Sequence, residues 1–486
     1  MRKKLLKLFF FLCGFKINKT VGNEEGTIII MIDGLSFNAL TYAIKNKYCP
    51  TLKKMSSDSY QLSDYYCGLP AATTSTEALL FYGNNFNISG FTWFDRGLQK
   101  FLRGNRSKEL AEFEDKYKKK RDLLQNGSAI MSVYTGGATE LSISGRNLTL
   151  SRSYYFMRTA HYFLVALLYP VQLIRTLYLT MKTLVLYRNA NKNSVKETFE
   201  TIALGQFSCF LTEVEIMRNT KKIFVDFLLY DEFAHTYGPT HSTTLSTLRL
   251  IDRYIKRIIK STKNTDRNYN FILLSDHGQT ESIPFDDSKI QSIDDIKKAL
   301  NNNKYSVIKT YGGFIPSSDS KELYVVPAGS TLQVYFSDYL QNGAFEMEIE
   351  NTFPHFISRL LAYEEFGWVL VKKTDSSSQL YGKCGSVVFN NNGIHTIMGT
   401  PFPSLSSEEI KKTVSSFTYY SSFPNNGDIV LFGNTTKQNK VYSFEKHRGT
   451  HGGFYGPMTH PFIMSRNPLL VGDSMSSLFD TIAILV

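Results

Sequence analysis

Six metal-type ligands and one hydroxyl lie in five short segments of this chain. They are Asp33 in IIIMIDGL, Thr73 in GLPAATTSTEALLFYG, Asp231 and His235 in LLYDEFAHTYGPTH, Asp276 and His277 in FILLSDHGQT, and His451 in RGTHGGFYGP. Carboxylates and neutral imidazoles together suit zinc, with manganese as the second choice. Two such ions side by side clamp the attacking and leaving oxygens of a displacement at phosphorus. A threonine hydroxyl, a poor nucleophile when free, is activated by metal coordination. The combination points to hydrolysis of a phosphate or related ester.

The elements that must position these residues can be read around them. Ile28 to Ile32 and Phe271 to Leu274 are apolar runs that read as buried strands of a parallel sheet. Ligands of open α/β sheets lie beyond the carboxyl ends of the strands. Asp33 and Asp276 therefore stand where a ligand or metal would be held, although Asp-Gly alone also spells a tight turn. Asp276 and His277 are adjacent, and Gly278 lets the backbone approach closely. Asp231 and His235 are four apart and share one helical face; alone, they would read equally as an ion pair or cap. His451, among Gly449, Gly452 and Gly453, sits on a mobile-looking loop and alone would read as solvated. An extended segment ends at Leu69-Pro70, and Thr74 to Tyr82 reads as a helix. Glu77 follows Thr73 or Thr74 at near capping-box spacing, which makes either an N-cap. The same helix N-terminus favours an anionic phosphoryl group. Composition does not choose among Thr73, Thr74, Ser75 and Thr76.

In this order the motifs resemble the alkaline phosphatase superfamily, in its type I phosphodiesterase/nucleotide pyrophosphatase branch. Pro70, Thr73 and Gly83 match the branch's nucleophile motif without a gap, and the DEFAH, SDHG and THGG segments resemble its later metal motifs. The resemblance spans roughly residues 27 to 465. It implies an alkaline-phosphatase-like three-layer α/β sandwich with a central, mostly parallel sheet. It also implies Thr73 as nucleophile, one ion on Asp231, His235 and His451, and a second on Asp33, Asp276, His277 and Thr73. Members of the branch usually carry an Asn downstream of the nucleophile helix that binds a phosphoryl oxygen. Here Phe94 stands at or near that position, and Asn84, Asn85, Asn87 or the Thr74 N–H is expected to replace it.

The chain has 486 residues, 42% of them hydrophobic, enough for a large core. The spread of the motifs favours one catalytic domain over 27–486, preceded by a basic and apolar segment, 1–26. Five cysteines without CxxC spacing imply neither a disulfide framework nor a cysteine zinc site. The net charge of +12 comes without a zinc finger or RNA-binding signature, so no specific nucleic-acid binding is expected. Within 141–196 there is no Asp or Glu, while Leu and Tyr are dense. That composition is expected to form a helical insert, lying on an anionic membrane surface or packed on the domain or a second copy. The terminal MRKKLLKLFFFLCGF has a basic head and short apolar run but no cleavage-site pattern. A membrane-associated or envelope location is expected, with export left open.

Residues 97 to 125 carry many charges and read as a solvated helix. Short strands over 315 to 425 read as an accessory sheet region. The leading functional expectation is a two-metal hydrolase of phosphodiesters or pyrophosphates on nucleotide, lipid or glycan substrates, working through a phospho-threonine. Alternatives are a phosphomonoesterase, phosphonate hydrolase or phospho-group transferase on the same scaffold, and a non-catalytic membrane-associated envelope protein.

Overall fold

The computed structural model describes residues 24–117, 119–145, 192–284, 305–310, 312–316, 321–390, 395–468 and 474–486, with Ile174, Tyr178, Met181, Lys298 and Leu470. The insert expected over 141–196 and the terminal segment 1–26 lie largely outside these residues. Among the described residues no helix is long and apolar enough to cross a membrane.

The isoleucine-rich run Gly26–Ile32 is a strand buried along its whole length. It takes the middle of a seven-stranded sheet because both of its edges are paired. Lys222–Phe227 lies parallel on one side, with Ile28 opposite Ile223, and Tyr269–Leu274 parallel on the other, with Ile28 opposite Phe271. Ser128–Ser132 and Leu141–Ser144 continue the parallel order beyond Lys222–Phe227. On the opposite side Phe462–Ser465 joins antiparallel, and the short, mostly exposed Gln61–Asp64 closes the edge. Five strands thus deliver their carboxyl ends to one rim.

Strand alternation splits the apolar residues between two faces. Ile28, Ile30 and Ile32 join Leu40, Leu211, Leu248 and Ile251 from the helices Phe37–Lys45, Lys192–Met217 and Ser242–Thr262. Ile29 and Met31 join Leu80, Phe81 and Phe479 from Thr73–Tyr82 and Met475–Leu485 on the other face. Each fully buried aliphatic or aromatic side chain contributes about 1.5–3 kcal/mol. The result is a three-layer α/β sandwich around a mostly parallel sheet.

A second sheet of eight strands is built from segments between Ser306 and Gly433. Its pairs are antiparallel except the first, Ser306–Lys309 with Glu322–Ala328. The turn between Glu322–Ala328 and Thr331–Phe336 reaches the rim of the large sheet, where the Ser330 N–H donates to the His451 carbonyl at 2.9 Å.

The segment expected to be a solvated helix is more deeply placed. Helix Ser107–Lys116 buries Leu110 and Phe113 completely, and Glu114 is 2% exposed. Leu110 and Phe113, three apart, make a narrow stripe that packs with Trp93 and Tyr134, and the abundant charges hide it in the sequence. Glu114 accepts the Thr135 N–H at 3.0 Å and the Tyr82 hydroxyl.

Candidate active site

All seven residues singled out in the sequence meet at the carboxyl rim of the large sheet. Asp33 follows its strand directly and is 5% exposed. Gly34 turns in the left-handed region, φ 71°, and donates its N–H to Asp276 Oδ1 at 3.1 Å. A Cβ on Gly34 would fall 3.0 Å from both Cβ and Cγ of Asp231 and closer still to its Oδ1, so no side chain fits there. Helix Leu229–Tyr237 starts immediately after strand Lys222–Phe227 and carries Asp231 and His235 on successive turns. His235 Nε2 lies 3.1 Å from Asp231 Oδ2. Asp276 and His277 are fully buried beyond Leu274. Gly278 passes so close to the Pro457 carbonyl that a Cβ would collide with it.

The loop bearing His451 is held rather than loose. Gly449–Thr450 pairs antiparallel with Thr280–Glu281, and the Gly452 N–H donates to the Ala71 carbonyl at 2.9 Å. Glycines suggested mobility in the sequence, but here they permit close backbone approach.

Three histidines show the same second contact. His235 Nδ1 meets the Gly449 carbonyl at 2.9 Å, His277 Nδ1 the Gly278 carbonyl at 2.9 Å, and His451 Nδ1 the Ala71 carbonyl at 2.8 Å. A carbonyl only accepts, so each Nδ1 donates to it and Nε2 is the ring nitrogen left facing the ligand cluster, the orientation of metal-ligating imidazoles. Asp33, Asp276 and His277 place ligand atoms within 4.8 Å of one another, and so do Asp231, His277 and His451. The resemblance assigned His277 to one ion alone, yet here it borders both groups. His235 joins the second group through Asp231. Buried oxygens at Asp33 Oδ1 and Asp276 Oδ2 have no hydrogen-bond partner among the described residues. This donor set fits two divalent cations.

The charges agree. Burial, then repulsion from Asp276, Asp231 and Asp226, pushes the Asp33 carboxyl well above its ordinary range. Burial also acts against Asp231, but His235, His451 and His277 outweigh it and hold that carboxyl low. Burial would depress His235, but Asp231 raises it to about 9. Burial and the neighbouring His277 keep His451 neutral, well below 6.5. Carboxylates crowded together without a cation repel one another, which is the charge pattern of a cation site.

Helix Thr73–Tyr82 brings up the hydroxyls. Thr74 Oγ1 donates to the Gly90 carbonyl at 2.9 Å, Thr76 Oγ1 to the Asp276 carbonyl at 3.4 Å, and Ser75 Oγ accepts Asn85 Nδ2 at 3.3 Å. Thr73 Oγ1 instead lies 3.3 Å from His277 Nε2, facing the ligands. The expected capping box is absent, because Ala72 is the N-cap and Glu77 lies too far into the helix to reach back. Glu77 is instead fully buried, and its Oε2 accepts the Val133 N–H at 2.7 Å and the Tyr134 N–H at 3.4 Å.

The three asparagines expected as replacements for the phosphoryl-binding Asn lie elsewhere, which leaves the Thr74 N–H of the alternatives. Asn84 accepts the Phe86 N–H, Asn85 bridges Ser75 and Tyr419, and neither they nor Asn87 line the cleft. Phe94 turns away to pack on Phe101 and Tyr335. The other strand of the same hairpin brings Arg103 and Asn105 into the cleft, a cavity of about 440 Å³ that also holds Asp226, Glu445 and His447. His447 packs against His235 with ring centres 4.0 Å apart and planes tilted by 33°, and burial, then His235, lowers its pKa to about 2. Sequence reading missed these five. Asp226 alone had a signal, a single carboxylate inside the apolar strand IFVDFLL.

The sequence pattern of the family described as type I phosphodiesterase / nucleotide pyrophosphatase matches residues 27–381. Phosphonoacetate hydrolase from Sinorhizobium meliloti 1021, solved in complex with phosphonoformate, is similar at TM-score 0.50 and 13% identity, over 97% of this chain and 99% of that one. Wild-type alkaline phosphatase PafA is similar at TM-score 0.54 and 12% identity, over 96% of each chain. Murine ectonucleotide pyrophosphatase / phosphodiesterase 5 covers 95% of both chains at 12% identity and TM-score 0.46. No curated protein sequence matches. Identities this low speak for a shared fold alone.

Proposed function

Since the chain belongs to the type I phosphodiesterase/nucleotide pyrophosphatase family, a family of phosphoester hydrolases, we propose that it cleaves phosphodiester or pyrophosphate bonds with two divalent cations and a phospho-threonine intermediate. One observation carries the reading. Of four neighbouring hydroxyls, Thr73 Oγ1 is the one turned toward the ligands, 3.3 Å from His277 Nε2.

Asp231, His235 and His451 would hold one cation, and Asp33, Asp276 and His277 the other; the mixed imidazole and carboxylate donors favour zinc. When bound, the cations supply positive charge that acidifies a hydroxyl and neutralises the departing oxygen. Thr73 Oγ attacks phosphorus as its proton passes to solvent, and the Oγ–P bond forms as the ester P–O bond breaks and the leaving group departs with the electron pair. Water then displaces Thr73 from phosphorus, returning a proton to Oγ and releasing the phosphate product. The N–H groups of Thr73 and Thr74, at the first turn, make no hydrogen bond among the described residues and would donate to a phosphoryl oxygen. Arg103 and Asn105 on the cleft wall offer further donors to the substrate.

The test is a Thr73 series on bis-p-nitrophenyl phosphate, p-nitrophenyl phosphate and thymidine monophosphate p-nitrophenyl ester. Thr73→Ala should lose at least ~1,000-fold in turnover while two metal equivalents remain, and Thr73→Ser should keep measurable activity. Two in-line displacements give net retention at a chiral phosphorus. Net inversion, or near-normal turnover by Thr73→Ala, would refute the intermediate.

A further inference from the structure

The eight-stranded sheet ends in an edge that nothing covers among the described residues. Its last strand, His395–Gly399, pairs antiparallel with Gly385–Asn390, Val387 opposite Ile397, and is exposed at every position. The Thr400 N–H donates to the Cys384 carbonyl at 3.0 Å, which fixes the phase of the ladder. Thr396 and Met398 spend their backbone groups on Gly385–Asn390, so those of Ile397, the His395 carbonyl and the Gly399 N–H point outward. Other sheet edges are guarded. Gln61–Asp64 carries Asp64, Ser306–Lys309 carries Lys309, and Leu141–Ser144 is exposed at none of its positions. His395–Gly399 has no acid, lysine or proline, the residues that keep strand edges from pairing.

Along this edge runs a groove of about 610 Å³, between the strand and helix Ser407–Ser421. His395 and Ile397 line it from the strand, and Ile410, Val414 and Tyr419 from the helix. Ile397 is 43% exposed, Met398 on the other face of the strand 48% and Tyr419 53%, so large apolar side chains gather at one place on the surface. Among the lining residues Lys411 alone carries a permanent charge, on a chain whose net charge is +12. A chain so basic repels its own copy on average, and a patch this poor in charge is where that repulsion is least.

We propose that a second copy of the chain docks on this edge, His395–Gly399 pairing antiparallel with itself about a twofold axis through Ile397. The register is self-complementary. With Ile397 opposite its own copy, the two exchange their outward N–H and carbonyl groups, and the Gly399 N–H of each copy meets the His395 carbonyl of the other. Helix Ser407–Ser421 lies over Gly385–Asn390, with the Phe417 and Phe389 rings 5.9 Å apart. Strands stand about 4.8 Å apart, so the two helices would run roughly 14 Å apart across the joined edge. Packed helices approach to about 8–10 Å, and the surplus leaves room for Ile397, Ile410 and Tyr419 from both copies. That filling matters, because a strand pair of this length alone falls short of the roughly 1,000 Å² that a specific interface clears. The candidate active cleft shares none of these residues, so the dimer does not depend on the phosphoester reading.

Sedimentation of the full-length chain over roughly 1–100 µM should show a monomer–dimer equilibrium. It should change little with salt, since few charges meet. Ile397→Pro removes an outward N–H and no hydrogen bond of the sheet, a substitution that edge strands tolerate. Ile397→Lys sets two like charges against each other across the axis. Each should weaken association at least about tenfold and leave the circular dichroism unchanged. Met347→Lys, at a 72% exposed methionine on helix Glu346–Thr352, should associate as wild type does. Should both Ile397 variants misfold, Ile397→Cys in a Cys384→Ser background, which removes an exposed thiol, should cross-link to itself through a short bismaleimide. Met347→Cys in the same background should not. Wild-type chain that stays monomeric throughout the range overturns the proposal, even if an extended peptide binds the edge instead. So does association that survives both Ile397 variants, or Ile397→Cys that fails to cross-link.

Discussion

Gly34 lets the site's assembly be tested with one methyl group. In Gly34→Ala the residue must keep φ near 71° to leave Asp33 and the N–H to Asp276 in place. An L-residue in that region costs roughly 1–2 kcal/mol. The new Cβ also starts 3.0 Å from two carbons of Asp231 and nearer to Oδ1, below the 3.4 Å of ordinary contact. The Asp231 carboxylate must retreat by about 1 Å, a misplacement that can cost on the order of 100-fold in a positioned site. We therefore expect a stability loss of about 1–3 kcal/mol in urea, together with weaker zinc binding and turnover of bis-p-nitrophenyl phosphate down by about two orders of magnitude. Gly136→Ala is the control. Gly136 is also left-handed, at φ 58°, and its Cβ would sit 3.0 Å from Leu124 and Phe81 in the second core. It should cost comparable stability and leave zinc affinity and turnover unchanged. If Gly34→Ala lost stability alone, or if the two variants behaved alike, Gly34 would not be the contact that positions Asp231.

Metal uptake should release protons near pH 7, because Asp231 raises His235 to about 9 and repulsion and burial raise Asp33; a pH indicator in weak buffer reads the release, and its absence would place the cations elsewhere. A raised pKa adds stability at low pH that is lost as pH rises through the folded value, so metal-free protein should lose stability between pH 6.5 and about 9, as urea melts would report. Asp428→Ala should cost about 3–5 kcal/mol without changing zinc stoichiometry. It removes the carboxylate that pairs with Arg96 at 3.1 Å and strands the buried N–H groups of Phe336 and Ala344, which donate to Asp428 at 2.8 and 2.9 Å. Chelation should lower the melting temperature more at pH 8 than at pH 6, since the ions neutralise carboxylates that are more fully charged at the higher pH.

Much of the fold was legible because apolar strands ending in Asp33 and Asp276 announce a parallel sheet and the rim where ligands gather. The pairing of Asp231 with His235 was legible from a spacing of one helical turn. Glu77, Leu110 and Phe113 were misread because charge and spacing are local, whereas their burial depends on residues far along the chain. Arg103 and Asn105 lie across a hairpin from Phe94, so counting forward from the nucleophile cannot find them. Composition left Thr73 level with its three neighbours and only the resemblance, through the spacing from Pro70 to Gly83, singled it out; the partners of those neighbours, Gly90, Asp276 and Asn85, are specified by no motif. His447 and Glu445 precede a recognisable motif and carry no pattern of their own.

The carbonyls that orient the histidines also fix when this site can first exist. His451 is oriented by Ala71, 380 residues earlier in the chain, and Gly34 donates to Asp276 across 242 residues. The central strand, Gly26–Ile32, is synthesised before either strand that flanks it, at 222–227 and 269–274. On the ribosome its two apolar edges therefore stay unpaired while roughly two hundred residues are added, at about 5–20 residues per second. Such an edge invites pairing with another chain. The nascent protein should accordingly depend on chaperones during that interval and gather its candidate ligand cluster only after the His451 loop has emerged.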